Sequence, residues 1–353
     1  MQEKSLVANE SVSLFQVPAP QRVNVLLVLS VWLWYGILRF LSAHHIDVIS
    51  IIQTRTSSDM RQFPTHSQLL RNTKAFAIKL SKIIFPCHLI TAMLFIISHS
   101  VELGPLIGTM IHVLPLFQFA LIVTLIVQRS EIILYCSKRL PLIESDPRPL
   151  RNVYILLSDS LTSFTRPLID FTLFTSLLFG GPMTHFDLFI SALPSLVRVF
   201  QCLREFSKVD GAHLLANMFK YSCNIPILAC TWYSRVDTEA SLKQNFLTLQ
   251  MWLMLLNSCY TFFWDVRMDW RITSLTKIRK TTCALPSINY QLAIIFDFMI
   301  RFWWIWIALY TQDKTNRFVF FDGELHYLEI IRRALWAIFK LESEYTLRSV
   351  SKA

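Results

Sequence analysis

An all-α, polytopic helical membrane protein is the fold class this sequence predicts, and three observations carry it. Apolar runs of about 20 residues, the length a bilayer core needs, recur along the whole chain. Only 16% of the 353 residues are charged, against roughly 25% in a soluble domain. Lys and Arg gather in the loops flanking the apolar runs, which encodes membrane topology rather than a DNA-binding face. The net charge of +10 therefore does not point to nucleic acid. Seven cysteines form no CxxC and nine histidines form no HExxH, so neither a metal site nor a disulfide framework is indicated.

The first 22 residues are polar, contain Pro18 and Pro20, and lack a signal peptide's apolar core, so the first span is expected to direct insertion. That span is Val23–Ala43. A basic loop with Arg55, Arg61, Arg71 and Lys74 follows, and then spans over Phe76–Ser98 and Leu103–Val127. Glu131–Leu142 is apolar but short, and reads as a marginal fourth span or an interfacial helix. Pro147 and Pro149 punctuate a boundary between an N-terminal membrane region, 23–150, and a second half, 151–345. Six spans are expected there: Asn152–Phe179, Leu188–Phe206, Leu214–Tyr233, Phe246–Trp264, Ile288–Tyr310 and Tyr327–Leu341. A short tail, 346–353, closes the chain. No internal repeat supports the inverted-repeat logic of many transporters.

Loop charge assigns the sides. Lys138–Arg151, Arg198–Lys208 and Arg267–Lys280 are basic, and with Arg348 and Lys352 they predict a cytosolic C-terminus. The first half does not settle itself. Four spans there put the Arg55–Lys74 loop in the lumen, against the rule; three put it in the cytosol and the N-terminus in the lumen. Asn9-Glu10-Ser11 is a glycosylation sequon, usable only in the lumen.

Ionisable residues inside the spans carry the functional argument. The last span holds Arg332 and Arg333 side by side. An arginine at membrane depth costs between about 2.5 and about 17 kcal/mol, depending on the reference state. Such a pair persists only where something anionic neutralises it, and Glu329, one turn earlier, neutralises part of it. Asp159, Thr162, Arg166 and Asp170 are spaced to lie on one stripe of a helix, as are Asn217, Lys220, Tyr221 and Asn224. Asp297 and Arg301 are one turn apart, with Trp304 close behind, and Asp265 and Asp269 end another span.

Each has a plainer reading. Asp297 and Arg301 make a neutral intrahelical pair, and Asp265 and Asp269 sit in headgroup water at a helix end. Asn217 and Asn224 are interhelical glue worth about 0.6 kcal/mol each. Arg166, before Pro167, satisfies carbonyls freed at a kink. Tyr221 and Trp304 are packing aromatics. Lys220, Arg332 and Arg333 resist such treatment, because three cations without three local partners mark an ion path. Guanidinium forks suit a tetrahedral oxyanion, and carboxylates nearby would keep the empty site close to neutral.

The order FQCLREF, HLLANMFKYS, YTFFWDVRMDW, IIFDFMIRFWW and EIIRRALWAIFKLESEY resembles the EXS domain. That domain is the membrane core of eukaryotic phosphate exporters related to the xenotropic retrovirus receptor and the plant phosphate-loading protein. The resemblance covers about Arg151 to Tyr345. It implies a six-span core, about ten spans in all with a cytosolic N-terminus, and a phosphate path at Asp159, Lys220, Tyr221, Asp265, Asp269, Arg301, Trp304, Arg332 and Arg333. Thr162 stands where the exporters commonly have Asn, so the path keeps a hydroxyl but has fewer donors. The last motif ends LESEY where LENEH is usual.

The exporters also carry a long cytosolic SPX domain that senses inositol pyrophosphates, whereas about 22 residues precede the first span here. The sequence is thus similar to the short fungal members named for defective retention of ER proteins. That similarity implies a Golgi protein returning lumenal phosphate from glycosylation to the cytosol and supporting glycosyltransferase recycling. Inorganic phosphate, the bilayer, a second copy of the chain, and Golgi glycosyltransferases or their sorting machinery are the expected partners. No cofactor and no catalytic metal are expected. The competing readings are a non-transporting adaptor that retains glycosyltransferases, with Arg267–Lys280 as its cytosolic motif, and a membrane transferase. The transferase lacks a DxD and any His beside the cations, which leaves DVRMD as its one metal candidate.

Overall fold

The computed structural model describes residues 19–52, 65–100, 105–129, 131–139, 151–178, 185–207, 211–236, 240–273, 285–310 and 320–350. Among these every regular element is helical. The chain begins with α1 (Ala19–Ala43), a short α2 (Val48–Ile52), α3 (His66–Ser100) and α4 (Pro105–Gln128). Next come α5 (Glu131–Arg139), α6 (Arg151–Ser163), α7 (Thr165–Leu178) and α8 (Phe186–Phe206). α9 (Ala212–Ser222), α10 (Asn224–Arg235) and α11 (Ala240–Trp264) follow. A π-helical turn over Asp265–Asp269 extends α11. The chain ends in α12 (Ser287–Arg301), α13 (Trp303–Tyr310) and α14 (Phe320–Val350).

Burial is inverted relative to a soluble protein, which is what a bilayer solvent selects. Phe117 is 69% exposed and Trp252 65%, while Asp265 is 0% exposed and Arg332 4%. Five helical stretches are long and apolar enough to cross a membrane on length and composition alone. Of the remaining passages, α6–α7 and α9–α10 are broken into half-helices and α14 carries Arg332 and Arg333.

Three spans expected to be continuous are interrupted, which corrects the sequence reading. Asn152–Phe179 is α6 and α7, joined at Phe164; Leu214–Tyr233 is α9 and α10, joined at Cys223; Ile288–Tyr310 is α12 and α13, joined at Phe302. Two joints have a proline as cause. Pro167 and Pro226 have no N–H for the carbonyl four residues earlier, Ser163 and Ser222, and their rings crowd the preceding turn. Phe302 has no such excuse; Ile305 N–H donates to its carbonyl at 3.0 Å, a tightened turn of the 3₁₀ kind. The predicted stripes are broken with the helices. Asp159 and Thr162 stay before the first joint while Arg166 and Asp170 turn with α7, and Asn224 belongs to a different half-helix from Lys220.

The chain direction follows from contacts between helix ends. Arg22 near the start of α1 reaches Asp170 of α7 at 3.3 Å. Just after α1, the Ile51 carbonyl accepts from Asn152 Nδ2 at 3.0 Å and from Arg348 near the end of α14 at 3.4 Å. α1 therefore runs antiparallel to α6–α7 and parallel to α14. α5 is nine residues long, about 14 Å at roughly 1.5 Å per residue, and fits the interfacial reading rather than a span. The described residues thus make nine passages: α1, α3, α4, α6–α7, α8, α9–α10, α11, α12–α13 and α14. This narrows the expectation of about ten and sets the start of α1 on the face opposite the end of α14. Arg71 and Lys74, expected in a loop, lie in the first turns of α3, whose start is on the basic face; Arg55 and Arg61 lie outside the described residues.

The core has two parts. Near the basic face, Leu38, Leu41, Ile46 and Ile51 pack with Trp270, Tyr290, Trp336 and Phe339. Between the N-terminal passages, Leu80, Ile84 and Ile122 pack with residues of α1. α1 is the shared wall of both.

Candidate functional site: a charge network around a cavity

The half-helix joints surround one cavity of about 460 Å³. Lys220 projects from α9 just before its joint, Arg301 from the last residue of α12, and Arg332 and Arg333 from α14. The π turn supplies Asp265 and Asp269; its widened hydrogen bonding, Trp270 N–H to Asp265 O at 2.9 Å, brings side chains four apart nearly over one another. Both carboxylates consequently face Lys220, at 2.8 Å for Asp265 and 3.7 Å for Asp269.

Asp265 is the hub. Lys220 and Arg301 both pair with it, and Arg332 Nη1 stands 3.6 Å away. Asp297 holds Arg301 Nε at 3.0 Å and Arg332 Nη1 at 2.7 Å. Glu329 grips Arg332 with two bonds of 2.8 and 2.6 Å, the fork geometry at which guanidinium excels. On the far side, Asp159 accepts from Tyr221 Oη at 2.7 Å and pairs with Arg198 Nε at 2.8 Å. Arg198 also lies over the Tyr221 ring at 4.7 Å.

Arg333 stands apart. Its Nε donates to Ser163 Oγ at 2.9 Å and its Nη2 to Thr162 Oγ1 at 3.1 Å, and its guanidinium covers the Trp336 ring at 4.9 Å. Among the described residues no carboxylate lies within ion-pair distance of it. Five cations (Arg198, Lys220, Arg301, Arg332, Arg333) thus face four carboxylates (Asp159, Asp265, Asp297, Glu329), with Asp269 engaged by Lys340 at 3.1 Å and by Trp336 Nε1 at 3.2 Å. Within this network Arg333 is the cation without a carboxylate partner among the described residues, and it lines the cavity, as does Arg166 of α7.

Of the residues singled out in the sequence, Thr162, Lys220, Tyr221, Asp265, Arg301, Trp304, Arg332 and Arg333 line the cavity. Asp159 and Asp269 do not; they stand behind it as partners of Arg198, Tyr221, Lys220 and Lys340. Trp304 Nε1 donates to Ser258 Oγ at 3.0 Å, so it is tied into the wall rather than loosely packed. Asn217 is drawn away, toward Cys202 Sγ at 3.4 Å.

The sequence reading misplaced Arg198 by counting it with the basic loop 198–208. It is 4% exposed, inside α8, and braced by Gln201 Oε1 at 2.6 Å. The signal was present: Arg198 lies within the very run, Leu188–Phe206, that reads as a span. Asp297 and Glu329 were noticed only as local partners, yet each joins the network.

Trp270, Tyr290, Trp336 and Phe339, all buried, pack together on the basic-face side, with ring centroids of Trp270 and Tyr290 5.2 and 5.1 Å from Phe339. Other residues lining the cavity are Asn224 and Trp303, on the half-helices α10 and α13, and Leu325 and His326, near the start of α14.

Helical passages turned inside out around a charge-lined cavity define the class: a polytopic membrane protein with a buried polar chamber. The chain belongs to the EXS family, whose match spans residues 17–346 and so takes in the N-terminal passages too. It is similar to "Protein ERD1" of Saccharomyces cerevisiae, 47% identical over 349 residues covering 96% of each chain. The "Protein ERD1" of Kluyveromyces lactis is 34% identical over 383 residues, covering 95% of this chain and 96% of that one. "Solute carrier family 53 member 1" of Mus musculus is 29% identical over 166 residues, which are 44% of this chain and 24% of that protein.

Proposed function

We propose that this protein transports inorganic phosphate across the Golgi membrane, returning phosphate released by lumenal glycosylation to the cytosol. In that role it would support glycosyltransferase recycling and retention of ER lumenal proteins. The observation that carries the reading is Arg333, a half-buried cation facing a cavity whose hydrogen bonds, among the described residues, go to the hydroxyls of Ser163 and Thr162. A tetrahedral oxyanion there would take the bidentate fork of Arg333 in place of the Thr162 and Ser163 oxygens, whose own protons already go to the Asp159 carbonyl at 2.7 Å and to Glu329 Oε1 at 3.3 Å. The paired carboxylates hold Lys220, Arg301 and Arg332 in place, and Arg333 adds positive charge that an anion would offset. The similarity to a solute carrier over 44% of this chain, and to ERD1 over nearly the whole chain, supports the same reading.

In this scheme the cavity faces the lumen, and Trp336 separates it from Asp269 and Lys340 on the cytosolic side. Release to the cytosol then requires Trp336 to leave Arg333 and Asp269 together. Purified protein in proteoliposomes loaded with radiolabelled phosphate tests the reading directly. Saturable flux that excess sulfate competes for only weakly is the expected result; no flux above protein-free vesicles would overturn it.

A further inference from the structure

A second set of ionisable groups lies at the end of the cavity remote from Trp336. His326 of α14 is 4% exposed and lines the cavity. Its Nδ1 is 3.7 Å from Asp170 Oδ2 on α7, and the same oxygen is 3.3 Å from Arg22 Nη1 on α1. One carboxylate is therefore shared by a permanent cation and an imidazole. With His326 neutral, Arg22 and Asp170 cancel; with His326 protonated, the trio carries one net positive charge. The other charged groups nearby are Arg166, one turn before Asp170 on α7, and Glu329, one turn after His326 on α14, and both line the same cavity. Arg166 adds a constant charge, and Glu329 is already held by Arg332. Histidine is thus the one member of the group whose ordinary titration falls between about pH 5 and 8.

We infer that His326, Asp170 and Arg22 form a proton-binding site at the outer end of the cavity, making anion capture from the face away from the basic loops proton-linked. The inference rests on the transporter reading above and adds the proton as a second ligand. The proton comes from the aqueous phase onto the imidazole, whose positive charge is then stabilised by Asp170. An approaching phosphate meets two cations and one carboxylate rather than one of each, and capture improves. As pH rises through the imidazole's range the extra charge is lost. A compartment more acidic than the cytosol would so load the carrier preferentially from its own side. α1 takes part through Arg22, which gives a passage outside the six-span half a role at the cavity.

The test is phosphate flux in proteoliposomes of the full chain, with both faces at pH 5.5 or both at pH 7.5. For the wild type we expect an apparent KM about three- to tenfold lower at the acid pH. His326→Gln should erase most of that ratio, keeping the higher KM at both values. His326→Lys supplies a fixed cation and should keep the lower KM at both. Asp170→Asn leaves Arg22 uncompensated and should likewise give a low, nearly pH-independent KM, which provides an arm should a His326 variant fold poorly. Phosphate itself titrates in this range, but equally for every variant, so it cancels in the comparison of ratios. A His326→Gln protein that retains the wild-type ratio overturns the inference while leaving transport standing. A wild type without flux at either pH removes both.

Discussion

The three N-terminal passages and the six that follow bury polar groups in opposite ways. Between α1, α3 and α4 the buried groups are neutral. Gln118 Nε2 donates to the Cys87 carbonyl at 2.9 Å and to Thr91 Oγ1 at 2.6 Å, and Asn24 Nδ2 donates to the Pro115 carbonyl at 3.1 Å. Between α6 and α14 the buried groups include charges interlocked across six helices (α6, α8, α9, α11 with its π turn, α12 and α14) and concentrated where three passages break. A neutral amide in a bundle is satisfied by carbonyls already there and asks for nothing further. A chamber lined by a cation that no carboxylate meets among the described residues is suited to an anion. On the transporter reading the first region serves packing and the second a ligand.

The comparison first depends on how the two regions are oriented, and that test is all or none. If α1 runs antiparallel to α6–α7, tags on the two ends of the chain should lie on opposite faces. Protease added to sealed Golgi vesicles should remove a C-terminal tag and spare an N-terminal one, and Asn9 should carry glycosidase-sensitive mass that Asn9→Gln abolishes. Loss of both tags together would place the first helix the other way up and break the nine-passage reading.

Within the second region, adjacent arginines should separate transport from stability. Arg333→Ala removes no ion pair, so melting should change little while phosphate flux falls on the order of a hundredfold; Arg333→Lys keeps charge without the fork and should fall in between. Arg332→Ala strips Glu329 and Asp297 of their shared partner, and breaking a buried pair costs roughly 3–5 kcal/mol. Thermal melts and flux on the same preparations distinguish the two. Should Arg333→Ala unfold the protein and Arg333→Lys transport normally, the cluster only holds helices together and the adaptor reading gains.

Arg198 should behave like Arg332 although it does not line the cavity. Arg198→Met leaves Asp159 buried with Tyr221 as its remaining donor, a loss again of roughly 3 kcal/mol. Adding Asp159→Leu should recover most of the melting temperature, because replacing both members of a buried pair is close to neutral. Flux should not recover, since Tyr221 lines the cavity and would have lost the acceptor that orients it. Recovery of both together would remove Asp159 from the functional network.

What the sequence revealed and concealed has one physical cause. Lys220, Arg301, Arg332 and Arg333 were legible because a charge at membrane depth violates a large energetic rule, and the rule needs no structure to apply. Glu329 was legible as a partner for Arg332 because one turn of helix fixes their proximity. Pairings between helices were not legible: Asp159 with Arg198, or Asp297 with Arg332, depend on packing that periodicity does not encode. The joints were half legible. Pro167 and Pro226 announce two of them, but Phe302 carries no local signal, so a stripe extrapolated at 3.6 residues per turn ran straight through the breaks. Arg22 with Asp170 and His326 was hidden for the same reason, being contributed by three helices far apart in the chain.

The smallest expected effect lies in the N-terminal bundle and guards the whole contrast. Gln118→Leu keeps the side-chain volume and removes two donated bonds, to Cys87 O and Thr91 Oγ1. The partners keep other bonds: the Thr91 hydroxyl still donates to the Cys87 carbonyl at 2.7 Å, and Asn24 Nδ2, which also donates to Gln118 Oε1 at 3.5 Å, keeps the Pro115 carbonyl. Interhelical hydrogen bonds in membranes average about 0.6 kcal/mol and reach about 1.7, so the melting temperature should drop by only a few degrees. Phosphate flux should stay within about twofold of wild type, since nothing in this network reaches the cavity lining and the comparable neutral changes elsewhere act through packing alone. A collapse of flux with an unchanged melt would show the opposite: the neutral bundle would then belong to the moving parts of the carrier, and the division between a packing region and a ligand region would fail at α1, the helix both regions share.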